Sequence, residues 1–335
     1  MYLSKRGKGV FYVFYNQPNG KKTCISTGET KKSEALKFLA NLDNELKLRK
    51  KEKVIPISLK DFCFEFLKYS EKIHCPNTTK VFKVTFKQFQ KKIGNLQLHE
   101  ITQQVLNEYF IYRSNKTIHP ARKDLINLSS AFTYAVKQGF LLENPCKSFK
   151  RFKLPEKQPI FYSAIEFELL LREIKELDIK DLVEFALNTG LRQMELLTLT
   201  WNQIIFKERM ILLDNQTNIT KSKRIRTIPL SLKALQILTE RQIDKNGNYI
   251  FTLNGIPMTQ KFISKRFKSY VISAKLNPKL NFHSLRHTFA SWLVQKGASI
   301  YEVSKLLGHS SVNVTQIYSH LRTEDLRASI NLLNN

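Results

Sequence analysis

The chain has 335 residues, 42% hydrophobic and 11% aromatic, enough to fill two or three ordinary cores at about 150 residues per domain and too apolar for a disordered chain. Lys and Arg number 55 against 28 Asp and Glu, a formal net charge of +27, spread as +8 over residues 1–55, +10 over 56–157 and +9 over 158–335. An excess carried by every segment points to a polyanion partner, nucleic acid before an anionic membrane surface, and argues against a basic tail on a neutral enzyme.

No stretch approaches the ~18 uninterrupted apolar residues of a membrane span. The start, Met1-Tyr2-Leu3-Ser4-Lys5-Arg6, has no apolar run behind its basic residues and does not read as a secretory signal. Cys24, Cys63, Cys75 and Cys146 lie far apart, in neither a CxxC pair nor a zinc spacing, and read as idle or buried thiols of a reducing, cytoplasmic compartment.

In chain order, Val10–Tyr15 and Thr23–Ser26 predict two short strands around the turn Asn16-Gln17-Pro18-Asn19-Gly20. From Thr30 the period becomes helical, with Ala35, Leu36, Leu39, Leu42 and Leu46, and the helix ends in the charged run Lys47–Lys53. Pro56 marks a boundary. Residues 57–148 read as mostly helical, with apolar runs such as Leu59-Phe62-Phe66 and Leu125-Leu128-Phe132-Ala135, and Asn144-Pro145 is expected to close the last helix. His74, His99 and His119 are scattered there without i+4 partners and are not read as metal ligands. Segment 147–159 is basic, holds two prolines and reads as an extended linker. Beyond it, helices are expected at 164–177, 179–188, 193–199, 231–241, 260–273, 284–296, 300–307 and 312–318, with strands at Met210–Leu213 and Arg226–Leu230.

Four clusters in this last region could carry chemistry. In Thr189-Gly190-Leu191-Arg192-Gln193-Met194-Glu195-Leu196, Gly190 ends one helix and Arg192 starts the next, with Glu195 on its face. Thr220-Lys221-Ser222-Lys223 lies on a turn between strands. In His283-Ser284-Leu285-Arg286-His287, His283 and Arg286 share one helix face. Leu307-Gly308-His309-Ser310-Ser311 precedes Tyr318 by one short element. Two arginines and a histidine make a fork of donors for phosphate oxygens and for the added charge of a pentacoordinate phosphate. A tyrosine can form a covalent phosphotyrosine, and a lysine can protonate a leaving alkoxide. No carboxylate cluster of the two-metal kind is evident, so neither metal nor cofactor is called for.

The four clusters, in this order and spacing, resemble the tyrosine recombinase (phage integrase) family, most closely from Thr189 to Tyr318. Residues 55–150 look like that family's helical core-binding domain and residues 1–54 like the small arm-binding domain of mobile-element integrases, leaving 151–159 as linker and 160–335 as the catalytic domain. The implied fold is mainly α with small β elements and several domains. The resemblance gives Tyr318 the nucleophile's role, Arg192, Arg286 and His309 the phosphate oxygens, Lys221 the protonation of the 5′-oxygen, His283 assistance in proton transfer at Tyr318, and Glu195 a supporting place. Lys223 and Arg224 lie close enough to leave the identity of the acid open, and His287 reads as a structural hydrogen-bonder. The implied partners are double-stranded DNA, a homotetramer on two sites and accessory DNA-bending proteins, with strand exchange through a Holliday junction. The segment after Tyr318, with Leu321, Leu326 and Ile330, is expected to pack on a neighbouring protomer. Two other readings of the same residues are a type IB topoisomerase, which uses a similar site to relax supercoils, and a DNA-binding regulator without catalysis, which would leave Tyr318 and both arginines idle.

Overall fold

The computed structural model describes residues 1–6, 9–16, 22–51, 54–115, 117–150, 152–154, 158–213, 225–243, 247–321 and 330, with backbone alone for 47–51. The chain divides into two compact units, Met1–Pro155 and Glu156–Asn335, each described by itself.

The first unit opens with β1 (Tyr2–Arg6), β2 (Val10–Asn16) and β3 (Lys22–Ser26), an antiparallel sheet in that order, followed by α1 (Lys32–Lys51). The expected hairpin is β2–β3. The strand that the sequence reading missed is β1, whose Tyr-Leu-Ser-Lys-Arg lacks apolar alternation because it is a largely exposed edge. Leu3 pairs with Val13 and Val13 with Ile25, and the small core centres on fully buried Val13 and Ala35. Arg6 lies over the Phe14 ring at 4.9 Å and Tyr2 stacks on the same ring at 5.1 Å.

Four helices complete the unit: α2 (Leu59–Ile73), α3 (Pro76–Ile93), α4 (Gln103–Ser114) and α5 (Ile118–Lys137). Ser58 caps α2 by accepting from the Asp61 amide, Pro76 occupies the first turn of α3, and Thr102 accepts from the Val105 amide to start α4. Their core is aromatic, with Phe62, Phe66, Phe86, Phe89, Tyr109 and Phe132 all at most 2% exposed. Asp124 is buried among them and accepts from Thr85 Oγ1 (2.9 Å), Tyr109 Oη (2.7 Å) and Arg113 Nε (2.6 Å), joining α3, α4 and α5. The last helix stops at Lys137, not at Asn144. Gly139, at φ 79°, closes it with Phe140 N on Ala135 O (2.9 Å) and its own amide on Val136 O (3.2 Å), a turn that needs the left-handed region. Asn144 instead ties the following connection back, its Nδ2 reaching Ser129 O (2.8 Å) and its Oδ1 accepting from the Cys146 amide (2.9 Å).

The second unit contains α6 (Ala164–Glu173), α7 (Leu177–Thr189), α8 (Gln193–Leu197), β4 (Ile204–Ile205), β5 (Met210–Leu213), β6 (Arg226–Pro229), α9 (Leu232–Ile243), β7 (Thr252–Leu253), β8 (Ile256–Pro257), α10 (Gln260–Ser273), α11 (Phe282–Gln295) and α12 (Ile300–Leu307). Short 3-10 turns lie at Trp201–Gln203, Val312–Val314 and Gln316–Leu321, so the helix expected at 312–318 is two tight turns. Strands β4-β5-β6 form an antiparallel sheet and β7-β8 a separate hairpin. The fold is mainly helical with small sheets, as the sequence implied. Helix α7 is the buried spine, with Ile179, Leu182, Val183, Phe185 and Ala186 at most 1% exposed. Helix α11 packs along it, and Tyr162 ties the start of the unit to α11 by its amide on Thr288 Oγ1 (2.9 Å) and its carbonyl to Trp292 Nε1 (2.9 Å). Among the described residues no helix is long and apolar enough to cross a membrane.

Candidate active site

Gly190 ends α7 in the left-handed region at φ 63°. A Cβ there would lie 2.4 Å from Phe289 Cδ1, so the missing side chain is what admits α11 to the end of α7. Two residues on, Arg192 caps α8: its amide donates to Glu195 Oε2 (2.8 Å) and its Nη1 to Glu195 Oε1 (2.9 Å). Glu195 is 3% exposed and also accepts from Arg226 Nη2 (2.7 Å), at the first residue of β6. One buried carboxylate thus holds two guanidiniums from separate elements.

Helix ends gather the cations further. Arg286, on α11 and 4% exposed, donates from Nη1 to Gly190 O (2.7 Å) and from Nη2 to Leu307 O (2.6 Å). Arg226 Nη1 also reaches Leu307 O (2.7 Å), and Arg192 Nη2 reaches Gly308 O (3.3 Å). These carbonyls lie at the C-terminal ends of α7 and α12, where the helix dipole is negative and the oxygens lack partners within the helix. Three like charges are therefore held together by Glu195 and by backbone, and an anion placed among them meets donors already oriented.

Helix α12 closes at Gly308, φ 63°, with the His309 amide on Ser304 O (3.1 Å), which turns His309 out of the helix. A Cβ on Gly308 would fall 1.8 Å from Arg226 Nη1. Thr315 Oγ1 lies 2.7 Å from His309 Nδ1. With Thr315 donating to that nitrogen, the ring proton sits on Nε2 as a free donor. Ser311 starts the next turn by accepting from the Asn313 amide, and the last turn carries Tyr318. Tyr318 is 2% exposed, packed with Ala290, Val294, Val303 and Leu307, and its hydroxyl meets His287 Nδ1 at 2.6 Å. The His283 ring lies edge-on to that of His287, centroids 4.9 Å apart.

The field of the arginines sets the protonation states. Burial first, then Arg286, Arg192 and Arg226, push His309 down to about 4. Burial, then His283 and Arg286, push His287 down to about 4. His283 is also lowered, first by burial and then by the charges of Arg286 and Arg192. Burial raises Tyr318 to about 12 against the opposing pull of Arg286. Burial and Arg192 lower Arg286, which as a guanidinium still carries its charge at neutral pH. At pH 7 the site therefore holds fixed positive charge, neutral histidines and a protonated phenol.

Of the residues singled out in the sequence, Arg192, Glu195, His283, Arg286, His309 and Tyr318 come together here. Lys221, Lys223 and Arg224 lie outside the described residues. Arg226 and His287 were not read as site residues. Arg226 sits in a strand pattern that gives no sign of where its side chain goes. His287 is four residues after His283, a spacing that stacks them on one helix face and could have flagged it. A cleft of about 420 Å³ opens beside the site, lined by Arg226, Thr227, Gly308, His309 and Ser310 among others. A larger hollow of about 630 Å³, lined by Asp178, Asp181 and Arg241 among others, contains none of the site residues.

Residues 163–325 match the phage integrase family and residues 58–153 its SAM-like domain. A tyrosine recombinase XerC-like protein of Caldanaerobacter subterraneus subsp. tengcongensis is 28% identical over 92% of this chain and 90% of its own length. A tyrosine recombinase XerC of Listeria welshimeri is 26% identical over 79% of this chain and 94% of its own. Among solved structures, the Tn1549 transposon integrase in complex with transposon right end DNA superposes with a TM-score of 0.69 at 20% identity, over 83% of this chain and all of that one. A lambda integrase tetramer bound to a Holliday junction gives 0.68 at 19% identity, over 96% of each chain. Arginines that converge beside a tyrosine in a mainly helical fold fit the chemistry of phosphoryl transfer. The chain belongs to the phage integrase family: it is a tyrosine recombinase, an enzyme that breaks and rejoins DNA strands.

Proposed function

We propose that this recombinase cuts DNA by attack of Tyr318 Oη on the scissile phosphorus, forming a 3′-phosphotyrosyl bond as the bond to the 5′-oxygen breaks. The phenolic proton passes to the histidines of α11, with His283 assisting, and the leaving 5′-oxygen takes a proton from Lys221. Arg192 and Arg286 clamp the non-bridging oxygens, Nε2 of His309 donates to one of them, and Glu195 keeps the arginines aimed. The tyrosyl ester conserves the energy of the cleaved bond, so rejoining needs no nucleotide cofactor. The observation that carries this reading is the convergence of Arg192, Arg286, His309 and Tyr318 at the carbonyl ends of α7 and α12.

The task is integration or excision of a mobile element in the cytoplasm of a prokaryotic cell, at the nucleoid. Residues 1–54 bind arm-type DNA, 55–150 grip the core site, 151–159 link the two parts of the clamp, and 160–335 cleave. A homotetramer on two sites exchanges strands through a Holliday junction, with accessory bending proteins. The Tn1549 and lambda structures on DNA and the charge spread along the chain support this reading.

The test is covalent trapping. Protein incubated with labelled, nicked DNA from the flanks of its own gene should give a slow, protease-sensitive band on a denaturing gel, lost in Tyr318→Phe. Retention of the band in that variant would remove Tyr318 from the role. Relaxation of supercoiled plasmid with no sequence requirement would favour a topoisomerase task.

A further inference from the structure

We propose that His287 is the catalytic residue that takes the proton from Tyr318 directly, its Nδ1 being the acceptor that faces the phenolic hydroxyl, with His283 assisting from its place beside the His287 ring. The inference rests on Tyr318 being the nucleophile and concerns how that nucleophile is activated.

The geometry divides the two histidines. His287 Nδ1 lies 2.6 Å from Tyr318 Oη, a short contact with the atom that must lose its proton. Among the described residues, the His283 ring makes no hydrogen bond to that hydroxyl. Its backbone amide is held by Asn281 Oδ1 (2.9 Å), and its ring feels the charges of both Arg286 and Arg192, the residues placed on the phosphate. The two rings meet edge-on with centroids 4.9 Å apart, and the contact with the Tyr318 hydroxyl is made by His287.

The chemistry requires such a partner. Tyr318 is buried and its phenol is raised to about 12, so the tyrosinate is scarce at neutral pH. His287 is neutral at pH 7, since burial, His283 and Arg286 on its own helix disfavour its cation. From the last turn, Tyr318 is the titratable group that faces it. With the His287 proton on Nε2, its neutral Nδ1 receives the phenolic O–H, the direction that the proposed transfer uses. In the forward step the Tyr318 oxygen bonds to phosphorus, the proton moves to His287 Nδ1, and the 5′-oxygen leaves. In rejoining, His287 returns the proton to the tyrosyl oxygen. The incoming negative phosphate favours the imidazolium at that moment, so the base is weak in the free enzyme and strengthened when substrate is bound.

The experiment measures single-turnover formation of the covalent complex on a nicked site from pH 6 to about 9.5, a span that reaches toward the alkaline range of the phenol. It compares the full-length chain with His287→Asn and His287→Ala, with DNA affinity and thermal melting as controls. Asparagine can accept the hydrogen bond and keep Tyr318 in place but cannot take the proton. His287→Asn should therefore form the complex about 10²-fold or more slowly at neutral pH, with DNA affinity unchanged. Its rate should climb with pH where the intact chain is flat. His287→Ala should regain cleavage when imidazole is added, in proportion to the neutral base. Near-normal rates and an unchanged pH profile in His287→Asn, or faster cleavage in either variant, would overturn the proposal and leave His287 as a clamp on a resting nucleophile. Imidazole without effect on a folded, DNA-binding His287→Ala would overturn it as well. Tyr318→Phe is run alongside: a covalent complex in that variant means that the underlying assignment of the nucleophile has failed, an outcome distinct from the failure of His287.

Discussion

Arg226 shows how a residue without an obvious role can decide a site. It bridges Glu195 and the Leu307 carbonyl, and its guanidinium fills the space that Gly308 leaves open. Arg226→Ala would strip a buried carboxylate of one cation, and losing one partner of a buried ion pair costs about 3 kcal/mol or more. A lowered melting temperature together with a large fall in cleavage rate is expected, and an unchanged cleavage rate would show that Arg192 does not depend on this bracing. Protonation gives a second prediction. His287 and His309 titrate at about 4 in the folded chain against 6.5 unfolded. Between those values the unfolded chain binds protons that the folded chain does not, so stability falls as pH drops from 6.5 toward 4 and is insensitive to these groups above that window. Melting curves of the DNA-free protein should show this slope, and His287→Asn should flatten it.

At the scale of elements, the site is made by helix ends. Helices α7 and α12 both stop at a left-handed glycine, and the carbonyls they leave behind are what Arg286, Arg226 and Arg192 hold. Both stops were legible, because a glycine at the end of a helical apolar pattern is an end signal. The helix runs were legible too, since apolar residues recur at three-to-four spacing. Other features were not, among them these three. Strand β1 is an exposed edge with no alternation. The end of α5 was placed at Asn144-Pro145, although Gly139 already supplies the turn. The tight turns at 312–321 share the short apolar spacing of a helix. Of the site, Arg192, Glu195, His283, Arg286, His309 and Tyr318 were found through their motif, while Arg226 depends on a side-chain direction that no local pattern encodes and the signal for His287 was its spacing of four from His283. The helical part of the first unit gives its own test. Asp124 holds Thr85, Tyr109 and Arg113 inside an aromatic core. Asp124→Ala should cost about 3 kcal/mol by leaving the half-buried Arg113 guanidinium and the buried Thr85 and Tyr109 hydroxyls without their acceptor. A denaturant titration that shows less than about 1 kcal/mol, the scale of a single ordinary hydrogen bond, would mean that the packing of α3, α4 and α5 does not rely on it.

At the scale of the whole molecule, charge is the dominant property. A net +27 spread over the chain predicts binding driven by release of counterions from DNA. If the interface neutralises about six to ten phosphates, affinity should fall by about 10³–10⁵ between roughly 50 and 200 mM salt. A shallow salt slope would place most of the lysines away from the DNA. Charge also explains why the reaction site can be assembled in advance. The arginines repel one another, yet Glu195 and the helix carbonyls hold them where DNA will bring its own negative charge, so binding relieves a repulsion that folding has stored.

The most direct measurement is to digest the trapped protein–DNA complex with trypsin and nuclease and to locate the nucleotide by mass spectrometry. Cleavage after Lys305 and Arg322 releases a peptide with Tyr318 as its sole tyrosine. The nucleotide is expected on Tyr318 through a 3′-phosphate, with a free 5′-hydroxyl on the departing strand. A nucleotide on any other residue, or a 5′-phosphate linkage, would contradict the mechanism.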